Sequence, residues 1–510
     1  PLERDVLTAS FELGDLTDAW NDELQRLARV DAVVRLWDGD HTVVQDDPTD
    51  VSDRLGWLHV VPRSLGSWPM WTELADQISE DFDHVVLVGM GGSSLFPELL
   101  ATTFERGEGF PSLSVLDSTH PDAVRRVLDD HPPDRTLVVV SSKSGSTVET
   151  RSHLEVLWSR HPHGSSFVAI TDPGSGLETL AHERGFRAVV HGVPEIGGRF
   201  SALSAFGMLP AALLGLDGDD LLVTADEASA VLGPDTPVDQ HLGAQLGAFM
   251  AVAATAGRDR LTLLIDPRLE AFGDWLEQLI AESTGKHGVG VLPVVGESAE
   301  APGAATRAYV VIGSVEHGPL DGPSVRLTVE EPADVGAQVF CWEFATAIAG
   351  VCLGVNPFDQ PDVESAKVAA RHALADPQQA PLPTVSLDDA VALLRPDDAL
   401  VIAAFTDPQL RSALEPVRRA LGDRLGVPTT LGIGPRFLHS TGQLHKGGPD
   451  RIVVLQVLDA PGVGEPADEP VPGEDYTFGQ LIRAQADGDV AALQSSGHRV
   501  ARVSLRDLLA

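Results

Sequence analysis

The sequence predicts an α/β protein: parallel sheets flanked by helices, arranged as two similar units and a smaller C-terminal α/β region. Three observations carry this. Short apolar runs (DHVVLVG, LSVLDST, TLVVVSS, FVAITD) recur every 25–30 residues or so from residue 83, each followed by a helix-compatible segment such as SGLETLAHERGF. After GLDGDDLL the scheme starts again, with LTLLID, GVLPVV, RAYVVIG and VRLTVE as strands. A Pro-rich stretch at 376–387 then reads as a linker to a third region, whose strands are DALVIAAF and RIVVLQVL. Strands joined by helical crossovers at this spacing pair in parallel and are covered on both faces.

Taken in order, residues 1–60 are expected to form an N-terminal helical segment, on the strength of LTDAWNDELQRLARVDAVVRLW. The first unit spans 61–220 and closes on the apolar helix RFSALSAFGMLPAALLGL. The second spans 221–375. It opens with the helix VDQHLGAQLGAFMAVAATAG, has helices at 268–283 and 334–353, and ends in NPFDQPDVESAKVAARHAL. The C-terminal region, 388–510, has a helix at about 408–424 and a polar loop, GVGEPADEPVPGED.

Composition removes several classes of function. The 510 residues carry a formal net charge of −39, which repels phosphate backbones, so no nucleic-acid partner is expected. Two cysteines, Cys341 and Cys352, make neither a disulfide framework nor a multi-cysteine metal site, which favours a reduced compartment. No apolar run reaches the roughly 18–20 residues of a membrane span, and PLERDVLTAS lacks the apolar core of a signal peptide. The expectation is a cytoplasmic protein without a membrane partner. The chain has no initiator Met, as expected of one that begins inside a longer gene product.

Only four lysines occur: Lys143, Lys286, Lys367 and Lys446. Codon bias toward Arg is one account of this. The other is that these polar, small-residue segments need a compact ammonium whose pKa can be tuned.

Five segments carry candidate chemistry. SSKSGST at 141–147 follows a strand; its backbone N–H groups, hydroxyls and helix N-terminus suit a phosphate, although a Ser-rich N-cap turn has the same composition. It lacks the Walker pattern, so a nucleoside triphosphate is not implied. GMGGSS at 89–94 lets backbone approach a ligand, but it departs from GxGxxG and supports no dinucleotide. In EIGGRFSALSAFG, Arg199 precedes a helix that Ser201 is placed to cap; it is either a surface ion-pairing residue or a fixed guanidinium for a developing oxyanion. In WLEQLIAESTGKHG, Gln278 and Glu282 share a helical face, and Glu282 is either a solvated helix-end acid or a base. In NPFDQPDVESAK, Asp359, Gln360 and Lys367 follow an Asn-Pro turn.

Together these segments resemble the phosphoglucose isomerases, which are built on two sugar isomerase (SIS) domains. GGRFSALSAFG and PFDQPDVESAK match the two family signatures, and GGS at 91–93, SKSGST and ESTGK match the other site loops, in order, over about residues 60–375. The resemblance implies reversible aldose–ketose isomerisation of glucose 6-phosphate and fructose 6-phosphate through a cis-enediol, with no metal or redox cofactor. It implies that Gly92, Ser93, Ser142, Lys143, Ser144 and Thr147 bind the sugar phosphate and that Gln278 and Gln360 hold sugar hydroxyls. Glu282 would be the base, Arg199 would stabilise the enediolate, and Lys367 would assist at the ring oxygen.

The ring-opening His departs from the family order. Its segment is found not before residue 356 but at 437–448, FLHSTGQLHKGG, which makes His439 the candidate and His445 the competitor. That order, with RLWDGD near the start, resembles the isomerase half of bacterial transaldolase–phosphoglucose isomerase fusions, so a fusion in the full gene product is expected. A homodimer is a further expectation. The rival readings are a dual phosphoglucose/phosphomannose isomerase and a non-catalytic sugar-phosphate-binding SIS protein.

Overall fold

The computed structural model describes residues 5–362, 382–459 and 468–510, together with Val368, Ala370, Arg371 and Leu374. In chain order the strands are β1 (Ala9–Glu12), β2 (His84–Val88), β3 (Ser112–Leu116), β4 (Thr136–Ser141), β5 (Phe167–Thr171), β6 (Ala188–His191), β7 (Arg260–Ile265), β8 (Leu292–Val295), β9 (Arg307–Ile312), β10 (Ser324–Leu327), β11 (Ala399–Phe405), β12 (Thr429–Ile433), β13 (Ile452–Leu458) and β14 (Arg499–Val503). They form three sheets. The first, β3-β2-β4-β5-β6, is parallel throughout. The second, β1-β10-β9-β7-β8, is parallel except that β1 runs antiparallel to β10. The third, β12-β11-β13-β14, is again parallel.

The same order underlies all three. Each sheet starts at an inner parallel strand, lays the next strand on one side, then crosses to the other. Crevices for ligands open where the chain reverses direction in this way, at the carboxyl ends of the strands. In the first sheet the reversal falls between β2 and β4, and GMGGSS and SKSGST are the two loops that leave those strands.

Two sequence expectations need correction. The N-terminal segment forms its helices, Thr17–Arg29 and Ala32–Trp37, but it also supplies β1 to the second sheet. The C-terminal region has a sheet of the same order as the other two, including β12 and β14, which had no strand assigned. The sequence TTLGI hides β12, because Gly432 breaks the apolar run; that glycine lies where a Cβ would come 2.8 Å from Phe437 Cβ. Among the described residues one helix is long and apolar enough to cross a bilayer, Pro332–Leu353 with 22 residues, yet 89% of its most apolar window is buried inside the protein. It is the core element on which the helices Gly218–Val231 and Leu242–Thr255 pack, and Gly247 and Gly336 bring its backbone neighbours close.

The linker expected at 376–387 lies partly outside the described residues. Its last part is docked: Thr384 bridges Arg502 beside β14, and Leu387 opens the helix Leu387–Val391.

Candidate active site

The Ser142–Thr147 loop joins β4 to the helix Val148–Arg160. Gly145 has φ +68°, and its backbone runs so close to the helix Gly176–Glu183 that a Cβ would lie 2.6 Å from Leu177 N. Only glycine fits there. Ser142 Oγ accepts from Gly145 N at 3.2 Å and lies 3.5 Å from Thr147 Oγ1. Thr147 occupies the N-cap without a side-chain capping bond, so its hydroxyl, in contact with Ser142, sits at the positive end of the helix dipole. Ser144 and Ser146 are exposed, with their hydroxyl oxygens 2.8 Å apart. Lys143 is already committed: its ammonium pairs with Asp172 and donates to Pro194 O at 3.0 Å.

The glycines of the Gly91–Ser93 turn let four chain segments meet. Gly91 has φ +57°, and a Cβ on it would come 2.7 Å from both Gln278 Nε2 and His439 O. A Cβ on Gly92 would fall 1.9 Å from Gly198 O. Any larger side chain would separate the turn from the Arg199 loop and from the third sheet.

Around that turn runs an unbroken series of polar contacts. His439 Nε2 lies 2.9 Å from Glu149 Oε1. Gln278 Nε2 donates to His439 O at 2.8 Å and to Glu282 Oε2 at 3.1 Å. Arg199 Nη1 is 3.3 Å from Glu282 Oε1 and donates to Gln360 Oε1 at 3.3 Å. The Arg199 guanidinium also donates to Ser283 Oγ, Pro357 O and Asp359 O. Arg199, Gln278 and Glu282 are all buried, so this ion pair is screened little by water. Ser201 does not cap the following helix. Residues 198–200 make a 3₁₀ turn first, so the helix begins at Ala205 with Ser204 as its cap, and Ser201 Oγ donates back to Gly198 O.

Of the four lysines, Lys286 is fully buried 2.8 Å from Asp359 Oδ1 and donates to Asn356 O. Burial, followed by the Arg199 guanidinium, pushes its ammonium down to about 7 against the pull of Asp359. Lys446 is buried against Asp489. Lys367 lies outside the described residues. His445 is buried beside Lys446 and His498, and burial pushes its imidazole down to about 3, so it titrates far from neutrality. His439, by contrast, is partly exposed and faces a carboxylate.

Glu149 was not legible beforehand. An acid in the first turn of a helix is a common stabilising choice and gives no signal of its own. Burial alone would raise its carboxyl, but the charge and hydrogen bond of His439, together with a backbone hydrogen bond and His153, hold it below the usual range. The one cluster with metal-ligand chemistry among the described residues, His120, Asp122 and Asp407, stands apart from this network. Both His120 ring nitrogens are engaged, and Arg126 grips Asp407 with two bonds of 2.7 Å.

A family profile for phosphoglucose isomerase matches residues 66–291. The glucose-6-phosphate isomerase of Thermosynechococcus vestitus is 31% identical over 356 residues, a match covering 58% of this chain and 66% of that protein's length. A probable glucose-6-phosphate isomerase of Haloarcula marismortui is 31% identical over 353 residues, covering 57% of this chain and 78% of that one. In fold, the crystal structure of a glucose-6-phosphate isomerase from Chlamydia trachomatis superposes with a TM-score of 0.54 at 20% identity, covering 69% of this chain and 79% of that one. A relative at 31% identity, covered over 78% of its length, together with the matching family profile, shows that the chain belongs to the phosphoglucose isomerase family.

Proposed function

We propose that the chain is an aldose–ketose isomerase that interconverts glucose 6-phosphate and fructose 6-phosphate. One observation carries the reading. A buried carboxylate–guanidinium pair, Glu282 and Arg199, is joined through Gln278 to a second acid–imidazole pair, Glu149 and His439. The two pairs supply the two proton-transfer tasks that a cyclic sugar demands.

In this reading the Ser142–Thr147 loop binds the phosphate and His439 opens the ring, passing a proton between the anomeric hydroxyl and the ring oxygen. Glu149 holds the imidazole in place and stabilises its charged form. Glu282 then takes the proton from C2 and returns it to C1, while the guanidinium of Arg199 offsets the negative charge on the enediolate oxygen. One carboxylate can serve both carbons because the anchored phosphate holds them in register. In the same reading Gln278 and Gln360 bond sugar hydroxyls, and Lys367 assists at the ring oxygen.

A coupled assay with glucose 6-phosphate and mannose 6-phosphate side by side tests the reading. The expected result is fructose 6-phosphate from the glucose epimer. Equal rates on both epimers would make the enzyme dual, and binding without turnover of either would make it a sensor.

The phosphate assignment has its own test. Ser144→Ala with Thr147→Ala removes two hydroxyl donors to an anion, each worth about 1.5–3 kcal/mol. KM for glucose 6-phosphate should rise by at least about tenfold, with weaker inhibition by inorganic phosphate and little change in kcat. A parental KM and parental phosphate inhibition would reduce the loop to a helix cap.

A further inference from the structure

Glu149 Oε1 accepts from a second donor besides His439. Gln485, on the helix Phe478–Ser495 that precedes β14, places its Nε2 2.7 Å from the same carboxylate oxygen. Its own amide oxygen is taken by Thr119, whose hydroxyl donates to Gln485 Oε1 at 2.7 Å. Thr119 follows β3, so this chain of three side chains ties two sheets to the acid–imidazole pair. All three are buried, Thr119 completely and Gln485 and Glu149 to within 4% exposure.

The arrangement fixes direction as well as distance. A free glutamine amide can present either its oxygen or its nitrogen, and an oxygen here would face a carboxylate. The Thr119 donor holds the amide so that its N–H points at Glu149. An amide is also neutral, so it bonds the carboxylate without competing with His439 as a second cation would.

We infer that Gln485, oriented by Thr119, is a positioning residue that clamps the Glu149 carboxylate against His439 and thereby sets how readily that pair exchanges the ring-opening proton. The inference rests on the isomerase reading for its consequence in turnover, but the clamp itself does not. Helix packing supports it: Phe478, the first residue of the Gln485 helix, stacks on His153, one turn beyond Glu149, at 5.6 Å and 11° between planes. The other titratable groups facing Glu149 are His153 on its own helix and Tyr476 just before the Gln485 helix, with Asp117 beyond His153.

A hydrogen bond to a carboxylate favours its charged form, so removing the donor makes the pair hold its proton more tightly. In Gln485→Leu, the titration of the Glu149 carboxyl, followed by NMR in the whole chain, should move upward by about one pH unit, the equivalent of roughly one charge-assisted hydrogen bond. The acid limb of kcat/KM for glucose 6-phosphate should move upward with it, and the neutral-pH value should fall by about tenfold with KM nearly unchanged. Thr119→Val, which keeps Gln485 but frees its amide, should shift both in the same direction by less, and Thr119→Ser should restore the parent. If Gln485→Leu does not fold, Thr119→Val carries the test alone. An unmoved titration overturns the inference, even where activity falls, since that pattern belongs to a merely structural glutamine. Should the titration move while neither parent nor variant isomerises a sugar phosphate, the clamp stands and the isomerase reading fails.

Discussion

Glu282→Gln should lower kcat by roughly 10²–10⁴, the usual share of a positioned general base. The substitution keeps the size of the side chain and removes only its basic oxygen. Glu282 lies in the helix Phe272–Thr284 among Leu279, Ile280 and Ala281, all buried, and is itself 5% exposed. Solvent hydroxide therefore has poor access to the carbon that must lose its proton. The new amide loses the charge attraction of Arg199, but that guanidinium keeps Ser283, Pro357, Asp359 and Gln360 as partners, so the pocket should hold its shape. Affinity for a sugar-phosphate inhibitor should accordingly change little. Exchange of the C2 hydrogen with solvent should fall in step with turnover. Activity within a few-fold of the parent would remove Glu282 from this role, as would lost exchange with retained turnover.

How much of this was legible in advance follows from how local each signal is. The buried parallel strands announce themselves, because apolar runs such as TLVVVS and ALVIAAF are continuous and end at Gly or Ser turns. β1 does not, since its pairing with β10 is decided by a distant partner rather than by its own composition, and β12 does not because Gly432 interrupts its apolar run. Glycine loops were readable as loops, but the reason for Gly91 and Gly92 was not: it lies in the approach of Gln278, His439 and Gly198 from other segments. His439 could be found only as part of a segment in an unexpected place. That it reaches Glu149 in its own chain is a property of how the third sheet packs, with Gly285 admitting Leu444 and Gly447 O accepting from Gly288 N. Scarcity of lysine singled out these positions without saying what each ammonium meets: Lys143 pairs with Asp172, and Lys286 is buried beside Asp359.

Arg199→Lys should cost about 10²–10³ in kcat/KM, the loss expected when a preorganised donor to an oxyanion is removed, even though it preserves the positive charge. The reason is geometric. Arg199 uses three nitrogens at once, Nε on Ser283 and Nη2 on Pro357 O and Asp359 O, which leaves Nη1 aimed at Glu282 and Gln360. A lysine carries its three donors on one atom and cannot hold the Pro357–Gln360 backbone while also facing the substrate. Gln360 should lose its orientation with it, so KM should rise while kcat falls. Arg199→Met sharpens the test through Lys286, whose ammonium is held down to about 7 partly by the Arg199 charge. With that charge gone, the Lys286 pKa should rise, so that an ammonium close to Glu282 stays protonated at neutral pH and above. Arg199→Met should therefore lose no more than about tenfold beyond Arg199→Lys, and its residual activity should decline at a higher pH than in the parent. A lysine variant with near-parental kcat/KM would show that charge alone suffices at this position, and the forked geometry of Arg199 would then be a matter of loop stability only.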